Sequence, residues 1–228
     1  DLDCNEDDLI YGDQTLYWVF NDKGNIHSET SADPIGLEIR AQAFAFATND
    51  EINNMTFYNY KIINKATIQL NDAYFGQWVD PDLGKYDDDY VGCDVSRGLG
   101  YTYNGDLIDE SSTGTNGYGE NPPAIGCDFF EGPYQDADGL DNPGPYIDSV
   151  TNELVVPNLS DALNNGGIVY NGIGVGYQDG LIDNERFGMR RFTYYTSTSQ
   201  FPYNDPGVAA EYYNFMEGQW ANGSEMYY

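Results

Sequence analysis

Positive charge is what this sequence has least of. Nine Lys and Arg face 38 Asp and Glu among 228 residues, a formal net charge of −29. A compact chain of this size exposes roughly 10,000 Å², so an even spread leaves about one uncompensated negative charge per 360 Å². Such a surface gains nothing from phosphate contacts, which excludes nucleic acid as a partner and gives no hold on anionic membranes. Cysteine and histidine are nearly absent: Cys4, Cys93, Cys127 and His27 are the full set, and no CxxC pair occurs. That excludes a disulfide-dense scaffold and a zinc site of the ordinary Cys/His kind. No apolar run reaches the length of a membrane span, and no signal-peptide pattern opens the chain, so direct membrane insertion is not expected. The acidic start at Asp1 and the stop at Tyr228 read as cuts, so residues 1–228 are expected to be one module of a longer protein.

Aromatic and turn residues are abundant. Tyr occurs 21 times and Gly 26 times, and 40% of residues are hydrophobic, which argues for a folded chain of strands and tight turns. Residues 15–21 (TLYWVFN) read as an aromatic strand. Residues 35–48 (IGLEIRAQAFAFAT) alternate strictly, with Gln42, Phe44 and Phe46 on one face and Ala41, Ala43, Ala45 and Ala47 on the other. Residues 55–65 (MTFYNYKIINK) give a third strand and 73–79 (AYFGQWV) a fourth. Two short strands are expected within 89–103, broken at Gly98 and Gly100, and another within 122–130. Residues 131–157 are rich in Gly, Pro, Asp and Asn and read as a long structured loop. A single helix is expected over 208–219, capped by Asp205 with Pro206 at its first position and with Ala209, Tyr212, Tyr213 and Met216 along one side. The fold class is therefore all-β, a β-sandwich with long calcium-stabilised loops and one short C-terminal helix.

The acids are clustered, and clustered carboxylates point to a hard cation. Calcium takes six to eight oxygens from carboxylates, carbonyls and water, whereas magnesium demands stricter octahedral geometry. The first cluster runs Asp80, Asp82, Asp87, Asp88 and Asp89, with Asp94 shortly after, and Gly84 permits the bend between them. An EF-hand is excluded, since Val91 occupies its twelfth position. A second cluster is Asp136, Asp138 and Asp141, in a DxDGxDN pattern similar to thrombospondin type 3 loops. A third, Asp179, Asp183 and Glu185, resembles the latter half of a dockerin-type calcium loop, although residues 172–176 upstream carry no acids. Bound Ca2+ is the expected cofactor, and chelation is expected to lower the melting temperature.

Catalysis finds less support. Glu38, Glu185 and Glu211 could serve in a glycosidase-like pair, but no spacing singles two of them out. His27 lies in a polar turn (NDKGNIHSET), where it is expected to be exposed and to serve no Ser or Cys nucleophile. The glycines in GYTYNGD and NGIGVGYQDG read as turns rather than phosphate loops. Trp18, Trp78, Trp220 and the tyrosines could offer a platform for sugar rings.

Several long stretches together carry a resemblance: GLEIRAQAFAFATNDEINNMTFYNYKIIN, YFGQWVDPDLG, DDYVGCDVSRGLGY, YGENPPAIGCDFFEGPYQDADGLDNP and LIDNERFGMRRF. In these the chain resembles large secreted Bacteroidetes proteins that carry a C-terminal type IX secretion sorting domain, over nearly its whole length. The resemblance implies a location at the cell surface or outside the cell, reached by export through the outer membrane. It says little about activity. It also implies a second cysteine ten residues after Cys93, where this chain has Tyr103, so a Cys93–Cys127 bridge is one replacement and two free thiols the other. The expected function is a non-catalytic, calcium-stabilised structural or adhesive module of a surface or filament protein, with a calcium-dependent carbohydrate-binding module or glycoside hydrolase-associated domain as the alternative. Self-association, other surface proteins and glycans are the partner classes left open.

Overall fold

A computed structural model describes residues 10–94, 97–134, 137, 139–141, 146–147, 150–151, 154–155, 176–177, 179–196 and 199–226. The chain divides into two compact units, one comprising residues 1–70 with 207–209, the other residues 71–206 with 210–228.

The first unit is built on a three-stranded antiparallel sheet, β1 (Gln14–Asn21), β2 (Leu37–Ala45) and β3 (Thr56–Asn64), in the order β1-β2-β3. Alternation sets its two faces. Ala41 stands between Trp18 and Tyr60, Ala43 between Leu16 and Tyr58, and Ile39 between Phe20 and Ile62. The middle of this face is therefore an alanine floor between two walls of large, mostly apolar side chains, with the polar Gln14, Thr56 and Asn64 at its ends. On the opposite face Phe44 stacks on Phe57 at 5.2 Å, with Tyr11 and Phe46 beside them. The crossing from β1 to β2 is fixed by Asp22, whose carboxylate accepts backbone N–H bonds from Ile35, Gly36 and Leu37. Its burial alone would raise the carboxyl, but those three donors hold it below the ordinary range. A short 3-10 helix, Glu51–Asn54, capped by Asp50, leads into β3. His27 is half-buried rather than exposed, its Nε2 2.6 Å from the Asp22 carbonyl.

The second unit carries a three-stranded antiparallel sheet of β4 (Asp89–Asp94), β5 (Leu99–Asn104) and β8 (Ala124–Asp128), with β5 central. Two short ladders accompany it: β6 (Ile108–Asp109) with β7 (Gly119–Glu120), and β9 (Tyr146–Ile147) with β10 (Leu154–Val155). Gly100 lies inside β5, paired on both sides, rather than breaking it, and the ring of Phe192 comes within 3.0 Å of where a Cβ would stand. Cys93 and Cys127 flank Gly100 on the outer strands. Two strand spacings, about 9.6 Å, separate them, too far for a disulfide, and both are free thiols.

The helix α1 (Ala209–Glu217) begins three residues beyond Pro206, which is not its first helical residue. Gly218 ends it in the left-handed region, with Gly218 N–H bonded to the Phe215 carbonyl and Gln219 N–H to that of Asn214. Phe215 is the helix residue that enters the core, joined by Ala221, Met226, Tyr195 and Trp220. Tyr213 and Met216, expected along one side of the helix, stay partly exposed and flank residues 74–76.

Residues 73–79, expected as a strand, form none. Their side chains are taken up one by one instead. Tyr74 meets Tyr213 edge-on at 5.5 Å, Phe75 lies 6.1 Å from Phe129, and the Trp78 indole N–H donates to the Tyr195 hydroxyl at 2.6 Å.

Candidate functional site

Residues 80–88 run irregularly from the end of that segment into β4, and two carboxylates hold them in place. Asp109 on β6 is 1% exposed, the largest fully buried side chain among the described residues. Its Oδ1 accepts the Lys85 N–H at 2.9 Å and its Oδ2 the Tyr118 N–H at 2.7 Å. Gly84 sits directly against it with φ +71°, and a Cβ there would fall 1.7 Å from Asp109 Oδ2. No other residue fits. From the other side, Asp89 Oδ2 accepts the Leu83 N–H at 3.1 Å, and Leu83 is itself buried.

The remaining oxygens of this pocket of acids are unpaired. Asp88 Oδ1, Asp89 Oδ1 and Asn104 Oδ1 are all buried without a hydrogen-bond partner. Asn104 is 7% exposed and lies directly across the β4–β5 ladder from Asp89. The bond from Gly105 N–H to the Asp88 carbonyl brackets that pair, which makes it a non-hydrogen-bonded one whose side chains approach closely. The amide and the carboxylate therefore share one face of the sheet. Burial, with the like charges of Asp88, Asp109 and Asp82, pushes the Asp89 carboxyl above its ordinary value. Lys85 offsets part of this, its Nζ 3.3 Å from Asp87 Oδ1 and 3.5 Å from Asp88 Oδ2. Its own pKa is raised, first by the Asp87 hydrogen bond.

The structure thus brings Asp88 and Asp89 together with two groups the sequence reading did not name, Asp109 and Asn104. Asp82 is exposed, though its charge reaches Asp89. Asp87 is exposed and paired with Lys85. Asp80 is exposed, and its charge is felt at Tyr195. Asp94 lies at the far end of β4, about 17 Å along the strand from Asp89, where it pairs with Arg97 at 3.5 Å.

The second and third acidic clusters, separate in sequence, meet in space. Gly139 N–H donates to Asp183 Oδ1 and Gly180 N–H to Asp141 Oδ2, both at 2.8 Å, while Asp183 N–H reaches the Leu140 carbonyl at 3.1 Å. Asp141 Oδ1 and Asn184 Oδ1 are buried there without partners. Asp179 accepts from Asn184 Nδ2 and Leu181 N–H, and the Asn184 bond leads in holding its carboxyl below the ordinary range. Glu185 is buried, and Arg186 beside it lies over the Tyr134 ring at 3.9 Å. Asp136 and Asp138 lie outside the described residues.

Among the described residues, no three His, Cys, Asp or Glu side chains gather closely enough to hold a metal ion by themselves. The Asp88–Asp89–Asn104 group has two carboxylates and one amide oxygen, so an ion there would need carbonyls and water to complete its shell. Also among the described residues, no helix is long and apolar enough to cross a membrane. The chain matches no family model, no curated protein and no solved structure.

Proposed function

We propose that this chain is a non-catalytic, calcium-stabilised structural or adhesive module of a bacterial cell-surface or filament protein, with a layered β-sandwich body and loops tied down by ions. One observation carries the reading: three buried oxygens, on Asp88, Asp89 and Asn104, face no donor. A buried acceptor without a partner costs about 1–3 kcal/mol, more when charged. A divalent cation reached by all three would remove that cost and offset the like charges of Asp88, Asp109 and Asp82, which add to burial in raising the Asp89 carboxyl. Oxygen-only donors of this kind suit calcium best.

In this reading the ion does mechanical work. Asp109 and Asp89 already hold the backbone of residues 83–85, and calcium at Asp88, Asp89 and Asn104 would fasten the loop to the β4–β5 edge. The loop then becomes a rigid part of the unit rather than a mobile excursion. The sequence resemblance to secreted Bacteroidetes proteins supports an extracellular setting, where calcium is plentiful. The apolar face of β1–β3 supports a layered body, because such a face is stable only when another layer covers it.

A thermal melt in EDTA against one in excess calcium tests the proposal. Calcium at a hundred times its Kd should add about 2.7 kcal/mol, seen as a rise in Tm that Asp89→Asn abolishes. Identical melts in both conditions would remove the reading. One observation favours a glycan-binding variant of it: Trp78, two residues before Asp80, is 63% exposed. Glycan-array binding that needs both calcium and Trp78 would establish that variant.

A further inference from the structure

The edge of the first unit's sheet carries an inference independent of calcium. β1 is an outer strand of that sheet. The bond from Asp22 N–H to the Leu37 carbonyl fixes the parity of the β1–β2 ladder. Even-numbered residues of β1 bond to β2, so Thr15, Tyr17, Val19 and Asn21 turn their N–H and C=O groups outward. A row of this kind, left without a neighbouring strand among the described residues, is a template for another strand.

The side chains say which strand. The eight residues of β1, QTLYWVFN, carry no charge, and the whole sheet has only Glu38, Arg40 and Lys61 in its strands. In a chain with a net charge of −29, this is a stretch where a second copy can approach without strong like-charge repulsion. Leu16, Tyr17, Val19 and Phe20 are each between 43% and 59% exposed. β1 is also self-complementary about its own centre. Antiparallel pairing around a two-fold axis at Trp18 sets Trp18 opposite Trp18 of the second copy, Leu16 opposite Phe20, Tyr17 opposite Val19 and Thr15 opposite Asn21. Each large apolar side chain then meets another across the new ladder, the kind of cross-strand pair that stabilises a sheet. In the same register the outward residues fall opposite one another as hydrogen-bonded pairs.

We infer that two copies of this chain associate through β1, edge to edge and antiparallel about Trp18, into one continuous six-stranded sheet. The interface is isologous and closes on itself, so it makes a dimer rather than a fibre.

Sedimentation equilibrium of the full chain, from micromolar to the highest soluble concentration, should show a monomer–dimer equilibrium in calcium and in EDTA alike. Val19→Pro deletes one outward N–H and leaves every β1–β2 bond in place, a substitution tolerated on a sheet edge. Tyr17→Glu adds a charge of the chain's own sign next to the axis. Each should weaken dimerisation at least tenfold with an unchanged circular dichroism spectrum. Residue-resolved amide exchange gives a second readout: Tyr17 and Val19 should gain protection as concentration rises, while Leu16 and Trp18 are protected throughout. A native chain that stays monomeric, because its own chain or another layer covers the edge, would overturn the inference. So would a dimer indifferent to both substitutions, or one in which the Tyr17 and Val19 amides gain no protection.

Discussion

The β1–β3 sheet and the loop under Asp109 depart from ordinary packing in opposite directions. The sheet leaves Leu16, Trp18, Phe20 and Tyr58 partly exposed, with Ala41 as its buried hydrophobic residue. The loop buries Asp109, Asn104 and the unpaired oxygens of Asp88 and Asp89 beside a single buried leucine. Among the described residues, the first region is short of apolar cover and the second short of positive charge, Lys85 notwithstanding. Buried acceptors without donors and apolar surface without cover each carry a cost in free energy.

The largest effect that could break this contrast comes from Asp109. Asp109→Ala leaves the Lys85 and Tyr118 N–H groups without their acceptor, which costs about 3 kcal/mol in total and lowers Tm by roughly 6–12 °C. Chemical denaturation in EDTA checks this, and a neutral result would mean the loop is not held from below. A smaller effect follows from the raised Asp89 carboxyl. In EDTA the folded chain binds more protons at this site than the unfolded chain. Its contribution therefore grows as pH falls from neutral through its folded value, and is complete below the unfolded value of about 3.9. With calcium the sign reverses, since acid then protonates a ligand. Melts of the native chain and Asp89→Asn at several pH values, with and without calcium, isolate that reversal; a slope of one sign in both conditions would separate Asp89 from the ion. The smallest effect belongs to Asp94→Asn. Its pair with Arg97 is largely exposed, so stability should move by less than about 0.5 kcal/mol and calcium affinity not at all. An affinity loss there, read by isothermal titration, would extend the site along β4.

How much of this was legible in the sequence depends on where the signal is written. The sheet was readable almost to its ends, because the Phe and Ala alternation of residues 41–46 is a local pattern with one structural meaning. The segment AYFGQWV has the composition of a strand and forms none, since Tyr74, Phe75 and Trp78 each find a partner in a different part of the unit. Composition cannot distinguish one ladder from three separate contacts. At α1 the expected Asp205 cap and Pro206 start do not coincide with the helix, since Gly207 and Val208 intervene before it begins. Half of the loop's inner group was visible as the run Asp87, Asp88 and Asp89. Asp109 and Asn104 were not, because TYNGDLID reads as an ordinary turn, and its relation to Asp89 exists only once β4 and β5 pair. The meeting of the loops around Asp141 and Asp183 was hidden for the same reason.

That meeting closes a long stretch of chain. The bonds from Gly139 to Asp183 and from Gly180 to Asp141 join positions 44 and 39 residues apart, so residues 139–141 lie pinned beside residues 180–183. The entropy lost in bringing such distant positions together grows only slowly with the length between them, so the two bonds act as a clasp whose burden would change little had the intervening stretch been shorter or longer.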